Sequence, residues 1–261
     1  MQTDERNVVR ASSAVYCPIT PQGSHLPLRE ALSLLGYHLR LLNWWLFLLM
    51  ALGFLASGGL LWLQLHASDP HRLSNATSLS LFVIEPGAAL LAGLLAGSLL
   101  VGDDSLEIVM ATRSGLHQVL LWRALLTFLA LLLCSFAYLA WSLGNGIGYA
   151  RQQSALFLLL VWLAPVLTMG ALGLLGSLVT RNASLSGVLA AIPLAGALFL
   201  QARLQPVQAV HPFILPYTFW GEQDAPDWWL NRLILLLFAL GFALCCWLWL
   251  RQEERLLSNG Q

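Results

Sequence analysis

An all-α, polytopic membrane fold follows from three observations on this chain of 261 residues. Hydrophobic residues make up 58% of it and charged residues 10%, against roughly 45–50% and 25% in soluble domains. The apolar residues gather into six long runs, each near the ~20 residues that cross ~30 Å of hydrocarbon. Tryptophans cluster near the ends of those runs, Trp44, Trp45, Trp62, Trp122, Trp141, Trp228, Trp229, Trp247 and Trp249 among them, where amphipathic rings favour a membrane–water interface. A soluble globule with a mean hydropathy of +0.71 would expose more apolar surface than water tolerates.

Composition also excludes several functions. A net charge of zero argues against a nucleic-acid partner, which selects a basic face. All 13 basic residues are arginine. Without lysine there is neither a phosphate-binding loop ending in Gly-Lys-Ser/Thr nor a Schiff base. Cys17, Cys134, Cys245 and Cys246 are not placed as a disulfide framework and are expected to act as small packing residues. Asp4, Glu5, Arg6, Arg10, Arg29 and Arg40 precede any apolar core, so no cleavable signal peptide is expected.

Taken in order, residues 1–26 form a polar tail broken by Pro18, Pro21 and Gly23, and residues 27–261 form the membrane domain. From Pro27, Leu28, Ala31, Leu32, Leu35, Leu39 and Leu42 recur at three- and four-residue intervals. This spacing predicts an amphipathic helix in the interface, the alternative being an extension of the first span. Spans are expected near 42–65, 83–102, 117–143, 155–179, 184–204 and 229–250. Residues 66–82 and 144–154 read as short polar loops. Residues 205–228 hold Pro206, Pro212, Pro216 and Pro226 among aromatic and aliphatic residues. That is too apolar for a solvated loop and too broken for a span, so a re-entrant or surface-lying pair of half-helices is expected, with Glu222, Asp224 and Asp227 facing water.

Orientation follows from arginine. With both termini inside, Arg6, Arg10, Arg29, Arg40, Arg113, Arg123, Arg181, Arg251 and Arg255 lie inside, and Arg72, Arg151, Arg203 and Arg232 outside. Nine against four places the amino and carboxyl ends in the cytoplasm. Small residues recur at packing intervals: Gly93 and Gly97, then Gly170, Gly173 and Gly176, then Gly187, Ala191 and Ala195. Inside lipid such positions let backbones approach closely, within one bundle more readily than between subunits. Pro165 and Pro193 are expected to kink their helices and free carbonyls.

The chain is organised around residues 102–123, GDDSLEIVMATRSGLHQVLLWR, a charged helix-prone segment between two apolar runs. Asp103, Asp104, Glu107, Arg113, His117 and Arg123 alternate there with Leu106, Ile108, Val109, Met110 and Leu116. A short amphipathic helix at the membrane surface fits this pattern and would offer residues to a soluble partner. The run resembles the cytoplasmic coupling segment of ABC transporter permeases of the exporter (type-2) class. Ser105, Leu106, Glu107, Ala111 and Thr112 match the family string, Arg113 stands in place of its usual proline, and Asp104 in place of the usual glycine. The resemblance extends to the order of elements: interfacial helix, six spans, a larger outer segment between spans five and six.

What the resemblance implies is a coupling helix docked on a separate ABC ATPase subunit, with Asp104, Ser105, Leu106, Glu107, Met110, Ala111, Thr112 and Arg113 as its contact residues. It also implies a second permease subunit, identical or not, in the cytoplasmic (inner) membrane. ATP and Mg would be bound by the ATPase, and no cofactor or metal by this chain. Glu107 alternatively reads as a solvated surface charge, and Arg123 as a side chain reaching back to headgroups.

Glu85-Pro86 reads first as a helix N-terminal cap and second as a polar contact for cargo. Glu85, Pro86, Pro193, Phe213 and Phe219 are the candidates for a substrate path or outer gate. His66, Asp69 and His71 read as a solvated loop rather than a metal site. No catalytic constellation is visible. The expected function is a permease subunit of an ATP-driven exporter of hydrophobic or amphipathic cargo. The alternatives are a non-transporting membrane anchor or assembly subunit and a membrane-embedded lipid-modifying enzyme.

Overall fold

The computed structural model describes residues 44–68, 70–99, 116–149, 155–220 and 227–259. Helices α1 (Trp44–His66), α2 (Arg72–Ser98), α3 (Leu116–Gly144), α4 (Ala155–Thr180), α5 (Ala183–Phe199) and α6 (Trp228–Asn259) account for most of them, and no strand occurs among the described residues. The expected tail and interfacial helix, and the contact residues from Asp104 to Arg113, lie outside the described residues, as do Glu222 and Asp224.

Among the described residues, five helices carry stretches long and apolar enough to cross a membrane: Phe47–His66, Arg72–Ser98, Leu120–Gly144, Leu156–Thr180 and Trp228–Arg251. Their outward faces are aliphatic, with Leu55, Leu121, Leu133, Leu237 and Leu240 more than half exposed. Helices apolar on both faces are stable only where the outer face meets lipid or protein. The expected fifth span, at 184–204, is interrupted. Helix α5 has 17 residues, rising about 26 Å, and Leu200 leaves helical geometry (φ −95°, ψ 7°) before a separate turn at Gln201–Leu204.

The second helix departs from expectation at its start. Residues 72–82 read as loop because Arg72, Ser74, Asn75, Thr77, Ser78 and Ser80 interrupt the apolar pattern, yet the helix begins at Arg72. Thr77 donates its hydroxyl to the Leu73 carbonyl (2.9 Å), and Ser80 is buried against the Tyr149 hydroxyl. Tyr149 also bonds Ser142 (2.5 Å). Burial raises its hydroxyl above the ordinary value, although the bonds from Ser142 and Ser80 work the other way. The phenol therefore stays protonated, tying the end of α3 to α2.

Within α2, Val83–Gly87 forms one π-helical turn. Pro86 has no N–H to offer the Phe82 carbonyl four residues back, so the ladder widens by one residue. Ala88 N–H donates to Val83 O, and the Phe82 carbonyl oxygen lies 3.1 Å from where a Gly87 Cβ would stand. A glycine at 87 permits that approach.

Helix α4 is the central strut, packed against α2, α5 and α6, while α1 leans on α2 and α3. The α4–α5 reversal is tight: Arg181 adopts φ 51°, and the Asn182 side chain accepts the Ser184 and Leu185 N–H groups (3.0 and 3.2 Å) as an N-cap. Where α2, α4 and α5 meet, small residues replace side-chain interdigitation. A Cβ on Gly93 would lie 3.0 Å from Ala190 Cβ, one on Gly176 3.1 Å from Ser186 Oγ, and one on Gly173 would overlap the Gly93 carbonyl. Ser186 closes the junction by donating to Gly173 O (2.6 Å). The stripes of small residues thus serve packing inside one bundle. Polar links tie the other neighbours: Trp162 Nε1 donates to Ser135 Oγ between α4 and α3 (2.9 Å), and Thr168 donates to Leu235 O between α4 and α6 (2.8 Å).

Candidate functional site

The π-turn aims Glu85 into the bundle, where its side chain is fully buried. A carboxylate there demands a cation and saturated lone pairs. Arg232, one turn into α6 and 1% exposed, supplies the cation by donating Nη2 to Glu85 Oε1. Two more donors come from the backbone of the α5–α6 connection: Thr218 N–H to Oε1 (3.1 Å) and Phe219 N–H to Oε2 (2.6 Å). The guanidinium also donates to Thr218 Oγ1, and it lies over the Trp228 ring at 5.2 Å. Trp228 donates its indole N–H to Thr218 Oγ1 (3.1 Å) and stacks on Phe157 at 4.2 Å.

The connection itself, hereafter the strap, is a 3₁₀ turn at Gln208–Phe213 followed by irregular chain to Trp220. Ile214, Leu215, Tyr217, Thr218 and Trp220 are buried. Among the described residues it contains no half-helices of the expected kind. Its prolines prevent regular backbone pairing, so local turns satisfy some of its polar groups and side chains satisfy others. Asn231 donates Nδ2 to the carbonyls of His211 and Ile214 (both 2.8 Å), fixing the first part of the strap to α6.

A second polar group sits just before α6. Tyr217 donates its hydroxyl to Asp227 Oδ1 (2.8 Å), and His211 pairs Nδ1 with Asp227 Oδ2 (3.1 Å) and Nε2 with the Gln205 carbonyl (2.8 Å). Partial burial disfavours the Asp227 charge, but the bonds from Tyr217 and His211 outweigh it and hold the carboxyl below its ordinary value. A depressed folded value stabilises the native state above the unfolded carboxylate range, and the contribution fades as pH falls through the folded value. Asp227→Asn is therefore expected to be less stable than the parent at neutral pH. The difference should close on acidification below about pH 4, read as unfolding midpoints across a pH series.

Of the residues singled out for a path or gate, Glu85, Pro86 and Phe219 meet at this knot. Phe219 also packs edge-on against Phe82 at 5.4 Å. Phe213 lies at the end of the 3₁₀ turn beside Phe238 (6.0 Å) and is 55% exposed, and Pro193 lies on the exposed face of α5. Glu85 is not a helix N-cap, because α2 begins thirteen residues earlier at Arg72. Arg123 is buried on the inward face of α3 rather than reaching out to headgroups. Sequence reasoning missed Arg232, Thr218, Asn231 and Trp228. The signal for Arg232 was available: an arginine inside an apolar run needs an acidic partner, and Glu85 is the acidic residue inside the expected spans.

Comparison with protein-family models, curated proteins and solved structures finds no match. Among the described residues, fold and site define a helical bundle with five helices long and apolar enough to cross a membrane and a buried ion pair that clasps an apolar strap.

Proposed function

We propose that this chain is the permease subunit of an ATP-driven exporter of the ABC type-2 class, in the cytoplasmic membrane, with six spans and both termini inside. The observation that carries the reading is the course of α2. At one end it leads into residues 102–123, which resemble a coupling segment; near its middle it holds the strap through Glu85. A push delivered to that segment by an ATPase subunit, which binds the ATP and Mg, would reach the strap through one helix. Cargo is hydrophobic or amphipathic, in keeping with an apolar cavity of about 620 Å³ lined by Ala92, Phe128, Leu131, Gly170 and Leu236. A second permease subunit completes the path.

The test uses the complex reconstituted in vesicles with its ATPase. Glu107→Ala combined with Arg113→Ala is expected to reduce ATP turnover and cargo movement together, by about tenfold if each side chain contributes an ordinary interface contact of ~0.7 kcal/mol. Parental rates would remove these residues from coupling. Co-purification of an ATPase without any nucleotide-dependent movement would favour the anchor reading. Modification of a cysteine at Ser114 from outside only would reverse the topology and end the export reading.

A further inference from the structure

We propose that the π-turn at Val83–Gly87 and Glu85 form a two-position latch, closed in this structure and open when the turn takes α-helical register. The π-turn holds one residue more than an α-turn would, and each residue of helix advances about 100°. Conversion to α register therefore rotates Glu85 by about that angle away from Arg232. The consequence for the strap follows from where its amides point. Thr218 and Phe219 give their N–H groups to Glu85, not to backbone. Trp220 N–H turns back to Pro216 O, within the strap. The earlier part stays fastened to α6 by Asn231 through the carbonyls of 211 and 214, and Tyr217 is tied to Asp227. Release of Glu85 thus removes the acceptor of the Thr218 and Phe219 N–H groups alone, while Thr218 Oγ1 still accepts from Trp228 and the rest of the strap remains in place.

Both registers are available to this sequence. Pro86 disfavours the α register by lacking the N–H and crowding the Phe82 carbonyl; Gly87 tolerates the π register by lacking a Cβ. The buried pair adds to the closed side. Against these stands the general preference of a helix interior for α over π register, and the two opposed tendencies make a two-state element that an applied force can tip. The latch stands on the geometry alone; its place in a transport cycle rests on the export reading above.

Hydrogen exchange of the full-length protein in lipid nanodiscs, followed by mass spectrometry of the peptide over residues 215–220, reads the two amides directly. Pro86→Ala restores an N–H and is expected to shift the turn toward α register, speeding exchange in that peptide by about tenfold. Glu85→Gln is expected to speed it as well. Exchange over Ala88–Ser98 should not change in either variant, which separates latch opening from loss of the whole fold. Should Pro86→Ala leave residues 215–220 as protected as in the parent, the π-turn is a fixed feature and the latch is refuted. That variant decides even where Glu85→Gln fails to fold. With the ATPase present, ATP is expected to speed exchange in the same peptide. Opening in Pro86→Ala without any response to ATP would keep the latch and count against the export reading.

Discussion

Arg232→Met is expected to lower the unfolding free energy by about 3–5 kcal/mol. The substitution leaves Glu85 buried in full, with the Thr218 and Phe219 N–H groups but no cation. Two dipoles do not replace the charge in a medium where ions are poorly solvated. The double variant Glu85→Gln/Arg232→Met should recover much of the loss, because a neutral amide oxygen can still accept from the strap and no charge remains buried. Reversible denaturation in mixed micelles, followed by tryptophan fluorescence, measures both. Trp228, in the knot, is one of the eleven tryptophans that contribute to the signal. A single variant as stable as the parent would mean that Glu85 is not held as a carboxylate by Arg232.

Gly173→Ala is expected to cost about 1–3 kcal/mol, since its Cβ would fall on the Gly93 carbonyl and the α4 backbone cannot retreat from α2 without straining its Ser186–Gly173 bond to α5. Gly53→Ala provides the contrast. Nothing lies within 4 Å of its would-be Cβ, so the same change should raise stability by about 0.5–1 kcal/mol through helix preference alone. Opposite signs for one substitution in two helices would separate close packing from propensity. Equal effects would mean that the junction gives way.

The course of the main helices was legible because apolar run length is a property of composition. Within the described residues α1, α3 and α4 end at His66, Gly144 and Thr180 and α6 starts at Trp228, each within a few residues of expectation, while α6 continues past Arg251. Residues 72–82 were not legible: their hydroxyls read as loop, and only the bonds they make to their own backbone and to Tyr149 show that a helix tolerates them. The strap was recognised as anomalous from its prolines and aromatics. Its anchoring was hidden, because Glu85 and Arg232 stand 147 residues apart and no periodicity links residues at that distance. Hydrophobic pattern reports what faces lipid; it is silent on which two charges share one pocket.

The distance between those charges along the chain bears on biosynthesis. At roughly 5–20 residues per second, Arg232 leaves the ribosome several seconds to half a minute after Glu85. Throughout that interval the carboxylate is born without its counter-ion, and an early helix carrying it cannot settle into hydrocarbon on its final terms. The nascent protein therefore matures from its last helix backward: arrival of α6 neutralises α2, and only then can the aromatic segment close over both.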